Sequence, residues 1–187
     1  MKTKKLIFAA LFAALTCVAT MIIKVPTPTM GYIHPGDSIV LLSGFLLGPV
    51  YGGLAAGIGS MFSDLFGGYF SYAPATFVIK TLTAVFASLL FRAFTKKLSD
   101  VSAGKQAAFT AISGTIGEAF MVFGYFVFEI FLMAIATGDG FSSTSLAAGV
   151  ASSASGIPFN IVQGLFGVIL STILYPLLKK PLAQFTD

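Results

Sequence analysis

Apolar runs separated by short polar breaks dominate this chain. They fall at Leu6–Ile23, Ser38–Leu47, Val50–Phe62, Ala75–Phe91, Ala107–Ala136 and Ile157–Leu178. Most are long enough to be membrane helices, since a span needs about 20 apolar residues to cross a ~30 Å hydrocarbon core. The region 38–63 carries no charge and is interrupted only by Gly48-Pro49, so it reads as one long helix or as two. Loop charge decides for two. With six spans, Lys2, Lys4, Lys5, Arg92, Lys96, Lys97, Lys105, Lys179 and Lys180 all fall on one side. With five, the cluster from Arg92 to Lys105 is stranded outside, against the tendency of Lys and Arg to remain cytoplasmic. The expectation is an all-α membrane protein: one six-helix domain over residues 1–187 with both termini cytoplasmic.

Composition strengthens this reading. Hydrophobic residues make up 56% and charged residues 10%, where soluble domains carry about 25% charged residues. Mean hydropathy is +0.93. The net charge of +4 is mostly this orientation signal and calls for no nucleic acid. The N-terminus, MKTKKLIFAALFAALTCVAT, imitates a signal peptide, but five further apolar segments follow and it is read as an uncleaved first span. Cys17 is the only cysteine and His34 the only histidine, which argues against a disulfide, a metal site or a Ser/His/Asp triad. No Gly-x-x-x-x-Gly-Lys-Ser/Thr phosphate loop is present, so ATP hydrolysis would have to occur on another chain. Nor is there a paired acidic motif of the kind that holds metal ions in membrane phosphotransferases. No catalytic residue, no cofactor and no metal are therefore expected.

The second span is too short. Asp37 to Leu47 rises only ~16 Å as a helix, about half the hydrocarbon core. The preceding KVPTPTMGYIHPGD contains three prolines and cannot be regular helix. It is expected to dip into the outer leaflet as a lid over a cavity, where protein or water satisfies its backbone.

Polar residues gather in the outer half. Lys80 lies ~9 Å inside its span, and Asn160 and Glu129 lie ~12 Å inside theirs, with Tyr125 and Gln163 about a turn deeper. Asp64, Tyr69 and Tyr72 flank the loop after the third span, and His34 and Asp37 sit on or beside the lid. Such a layer suits a water-soluble ring compound, hydrogen-bonded and stacked on aromatic side chains. Each residue also has a structural reading. Lys80 would neutralise Glu129 or Asp64, and Asn160 and Gln163 would join helices by hydrogen bonds. Glu118 lies ~16 Å deeper than Glu129 and cannot share one small pocket with it.

Small residues mark close packing. Gly53 with Gly57, and Ala56 with Ser60, are four apart on one helix. Ala9 and Ala13, beside Ala10 and Ala14, form a similar strip near the cytoplasmic end, for packing within the bundle or for docking another membrane protein.

Several segments carry a family resemblance: GYIHPGDSIVLLSGFLLGPVYGGLAAGIGS, SDLFGGYFSYAPATFVIK, GEAFMVFGYFVFE and GIPFNIVQGLFG. With the size, the spans and the Ala-x-x-x-Ala strip, the chain resembles the substrate-binding S components of energy-coupling factor (ECF) vitamin transporters over nearly its whole length. The resemblance is strongest to the branch with hydroxymethylpyrimidine, pyridoxine and riboflavin-type members. It implies a bacterial plasma-membrane subunit, not an enzyme, working with a membrane coupling protein and two cytosolic ATPases. It also implies a vitamin site in the outer half, and docking at Ala9 and Ala13. A vitamin B6 or hydroxymethylpyrimidine-like ring is the first expectation and riboflavin the second. The rival classes are a stand-alone proton-coupled carrier using Glu118 and Glu129 as a relay, and a membrane enzyme.

Overall fold

A computed structural model describes residues 2–27, 31–96, 102–137 and 140–186. The expected lid residues 28–30 and Lys97 of the charge count lie outside them. Among the described residues, seven helices follow in chain order: α1 (Lys2–Ile22), α2 (Asp37–Leu47), α3 (Pro49–Gly67), α4 (Ala73–Thr95), α5 (Ala103–Ala136), α6 (Ser143–Ala154) and α7 (Ile157–Thr186). Between α1 and α2 the chain forms a two-stranded antiparallel ribbon, β1 (Val25–Pro26) with β2 (Tyr32–Ile33).

The all-helical expectation holds, and so does the break at Gly48-Pro49. Gly48 ends α2 with φ +86° and Pro49 opens α3. Proline suits a first helical turn, where its missing N–H leaves no bond unmade, and glycine alone enters the left-handed region without strain. Among the described residues, four helices are long and apolar enough to cross a membrane: α1, α4, α5 and α7. The expected second span is α2, which has only 11 residues. The expected third is α3, whose glycines and Asp64 dilute its apolar character. Four apolar spans rather than six are thus evident in the structure, and the six-crossing arrangement is taken up below as a proposal. Helix α6 was not among the apolar runs; it lies against α5, with Gly149 facing the Ile130 carbonyl.

Small residues bring the helices together. A Cβ at Gly57 would stand 2.7 Å from the Phe77 carbonyl oxygen of α4, and one at Gly59 would overlap the Ala13 carbonyl of α1. Ala56 is fully buried against Val40 and Ala84. The strip on α3 is therefore packing surface on two sides. One end of the bundle closes over an apolar core in which the rings of Phe45, Phe91 and Tyr175 lie 5.1–6.0 Å apart.

An ion pair holds the centre. The Lys80 ammonium of α4 meets Asp37 Oδ1 at the start of α2 at 2.5 Å, both side chains fully buried. Asp37 Oδ2 accepts from Gln163 Nε2 of α7 at 2.7 Å. The expected partners of Lys80, Glu129 and Asp64, are not its partners. The reason lies in the depth of α2, whose first turn is inserted between α4 and α7. Gly167 permits that approach, because a Cβ there would sit 2.9 Å from Asp37 Cβ. The carboxylate also lies at a helix N-terminus, where the backbone dipole favours negative charge.

Removing one member of such a pair leaves a buried charge without its partner, which typically costs about 3–5 kcal/mol. Lys80→Met is therefore expected to lower the unfolding temperature in detergent sharply. Adding Asp37→Asn to it removes the orphaned charge and should recover part of that loss, as read by thermal unfolding of the two variants side by side.

Candidate functional site

Beside this ion pair lies a small cavity roofed by the loop between α1 and α2. Its lining comes from Thr20 of α1, Tyr32 and His34 of the loop, Ser60 and Asp64 of α3, and Tyr69 and Tyr72 of the α3–α4 turn. Thr76 of α4, Tyr125 and Glu129 of α5, and Asn160 and Gln163 of α7 also line it, with Thr27 and Gly31 of the loop. Of the nine residues expected at a ligand site, seven meet here: His34, Asp64, Tyr72, Tyr125, Glu129, Asn160 and Gln163. Lys80 and Asp37 do not line the cavity. They bind each other next to it, and Gln163 bridges the two regions.

Local structure explains the aim of these side chains. The left-handed Gly68 (φ +81°) ends α3, and the Tyr69 N–H returns to the Asp64 carbonyl at 2.8 Å. That turn brings Tyr69 and Tyr72 back over Asp64. Tyr125 and Glu129 are one turn apart on α5 and point the same way, as do Asn160 and Gln163 on α7. The Tyr72 hydroxyl reaches Glu129 Oε1 at 3.4 Å, and the Tyr125 hydroxyl donates to Thr76 Oγ1 at 3.1 Å.

The loop is tied down at two points. Tyr32 donates its hydroxyl to Asp64 Oδ1 at 2.7 Å, and the His34 backbone N–H donates to Gln163 Oε1 at 3.0 Å. Tyr32 also packs on Tyr69, ring centres 4.6 Å apart and planes tilted by 53°, while the Lys24 ammonium lies 4.3 Å from the Tyr32 ring centre. Tyr32 was absent from the expected site. Its signal was an aromatic residue inside a Pro/Gly loop too constrained to form helix, and only the fold shows that it points inward. Gln163 follows the structural one of its two expectations. Both ends of its carboxamide are engaged by the protein, so it joins the loop to the ion pair.

Glu118 does not line the cavity. Its carboxyl is buried against Gly164 of α7 and close to Asp37 and Lys80. It stands beside the central cluster, with Glu129 remaining on the cavity wall. Ala9 and Ala13 lie elsewhere, in an apolar groove of about 620 Å³ between α1 and α3 that Ala10, Ala14, Leu54 and Ile58 share. Ala9 is 8% exposed and belongs to the core at that end, so it forms the groove's floor.

The cavity is about 30 Å³, whereas sites for small ligands usually offer about 300–1,000 Å³. A ring compound can enter only if the loop and its tyrosines move outward. Burial lowers the imidazole pKa of His34 to about 3 against the usual 6.5. The seated loop therefore favours neutral histidine, and an opened loop binds a proton more readily at low pH. Loop closure is stabilised fully above pH 6.5 and weakens as pH falls towards 3, by up to about 1.4 kcal/mol per unit. Hydrogen exchange of the loop amides should speed up between pH 6.5 and 5 beyond the intrinsic trend, and His34→Gln should remove that excess.

Comparison with known proteins agrees with this architecture. The family model described as ECF-type riboflavin transporter, S component, matches residues 1–180. A protein of Pyrococcus woesei described only as an uncharacterized protein in a gap 3' region is 30% identical over 163 residues, covering 87% of this chain and 98% of its own. A solved structure described as the S component of a bacterial ECF transporter superposes with a TM-score of 0.60 at 22% identity. That alignment covers 100% of this chain and 99% of the other. A roofed polar cavity in a bundle of apolar helices, and a family match over almost every residue, lead to one conclusion: this multi-pass membrane protein belongs to the family of ECF-type riboflavin transporter S components.

Proposed function

We propose that this chain is the high-affinity substrate-binding subunit of an ATP-driven ECF transporter. It captures a small ring vitamin or precursor, of the vitamin B6 or hydroxymethylpyrimidine kind, at the roofed cavity. The observation that carries this reading is the cavity itself: six elements converge polar side chains on it beneath a hydrogen-bonded loop. The site is complete within one chain, and nothing in the sequence supplies a phosphate-binding loop for ATP. In this proposal α1 to α5 and α7 each cross or enter the membrane, the loop faces outward, and both termini lie in the cytoplasm.

Riboflavin is the second reading, and the description of the matching family favours it. The cavity's size argues for the smaller ring, because a flavin demands far greater displacement of the loop.

Coupling to ATP hydrolysis is assigned to partners, a membrane coupling protein and two cytosolic ATPases. The apolar groove at Ala9 and Ala13 is where this proposal seats the coupling protein. Membrane helices gain little from hydrophobicity when they associate, so close approach over small residues carries such a contact.

Three measurements test the proposal. The purified chain, without ATP or partners, should bind one water-soluble vitamin in a calorimetric screen; failure with every vitamin tried contradicts it. Asn160→Ala should weaken that binding by roughly fivefold to a hundredfold, the effect of losing a buried hydrogen bond worth about 1–3 kcal/mol. The Ala9→Leu/Ala13→Leu double variant should bind normally yet fail to co-purify with the coupling protein. Lost binding with intact assembly would show that the groove serves the bundle alone.

A further inference from the structure

The walls of the cavity are acidic and aromatic. Asp64 and Glu129 line it at 5% and 3% exposure, together with the rings of Tyr32, Tyr69, Tyr72 and Tyr125. No lysine or arginine lines it among the described residues. The two nearby ammonium groups are held elsewhere. Lys80 is bound to Asp37, and Lys24 lies on the rings of Tyr32 and Tyr69, at 4.3 and 5.4 Å from their centres, without lining the cavity. His34 is neutral at physiological pH, as its burial requires.

Hydrogen bonding within the walls is equally one-sided. Tyr32 donates to Asp64 Oδ1, Tyr72 reaches Glu129 Oε1, and Tyr125 donates to Thr76. Three tyrosine hydroxyls are thus turned into the wall. Asp64 Oδ2 is buried and makes no hydrogen bond of standard geometry, with the Thr76 hydroxyl as a near neighbour. A buried acceptor of this kind costs free energy until a donor reaches it. Aromatic faces add to the preference, because their quadrupoles attract cations.

We infer that the cavity selects an unphosphorylated ring carrying an amino group or a protonated nitrogen, an aminopyrimidine-type compound, with Asp64 and Glu129 as its acidic contacts. This rests on the substrate-binding reading above and narrows it. The edge of an aminopyrimidine offers a ring nitrogen beside an exocyclic NH2, which pairs with one carboxyl group through two parallel hydrogen bonds. Those two bonds form whether the proton sits on the ring nitrogen or on the carboxyl oxygen. Bidentate geometry of this sort gives direction as well as strength. A phosphate or carboxylate on the ligand would instead meet two acidic walls with no cation in the lining to bind it, which disfavours phosphorylated vitamin forms.

The test is calorimetry on the full-length chain at pH 7 with matched probes. Pyridoxamine and pyridoxine share a ring and differ by an amine in place of a hydroxyl. The probes 4-amino-5-hydroxymethyl-2-methylpyrimidine, riboflavin and pyridoxamine phosphate complete the set. The aminopyrimidine and pyridoxamine should each bind at least tenfold more tightly than pyridoxine, and pyridoxamine phosphate should lose at least tenfold against pyridoxamine. Asp64→Asn or Glu129→Gln should erase the preference for pyridoxamine over pyridoxine. Where a variant does not fold, the wild-type comparison within each pair decides alone. Tightest binding of riboflavin or pyridoxine overturns the acidic-site inference while leaving a vitamin-binding subunit. No binding by any probe or other water-soluble vitamin overturns the function proposed above, and this inference with it.

Discussion

A lysine and an aspartate meet at 2.5 Å where no water can reach either of them. Each alone would be expensive in such surroundings, so neither α2 nor α4 can occupy its place without the other. Gln163 completes the arrangement from α7, and Glu118 of α5 stands close by. Three helices, α2, α4 and α7, are thereby fixed at one depth by charge and hydrogen bonding. Apolar packing could not do this, because lipid competes equally well for apolar surface. The short α2 can begin inside the bundle because its first carboxylate finds an ammonium there.

From this centre the connection runs outward to the site. The Gln163 carboxamide holds Asp37 with its nitrogen and the loop backbone at His34 with its oxygen. Tyr32 fastens the same loop to Asp64. The roof thus rests on one support joined to the buried ion pair and on another that is itself a wall of the cavity. Under the proposed function, a ligand that pairs with both oxygens of Asp64 would compete with Tyr32 for Oδ1, which would couple its entry to release of the loop.

Much of this was legible in the sequence, and particular residues show why. Gly48-Pro49 announces a helix break because both residues have sharply restricted backbone roles. Tyr125 with Glu129, and Asn160 with Gln163, could be placed in one layer because helical spacing converts residue number into depth. The partner of Lys80 was not legible. Asp37 follows a loop in the chain and reads as lid, and only the insertion of α2 between α4 and α7 carries it to the lysine. Tyr32 escaped because inward and outward faces of a Pro/Gly loop have no periodicity to reveal them. Helix α6 escaped because SSTSLAAGVASSA has no apolar run, its seat on α5 depending on Gly149 rather than on hydrophobic surface.

The central claim is that one chain holds a complete site for a small, amine-bearing ring. The most direct measurement is mass spectrometry of what the protein retains through purification in mild detergent and releases on denaturation. The account predicts a near-stoichiometric, unphosphorylated nitrogen heterocycle with an amino group, lost from protein carrying Glu129→Gln. Recovery of lipid alone, or of a flavin unaffected by that substitution, would contradict it.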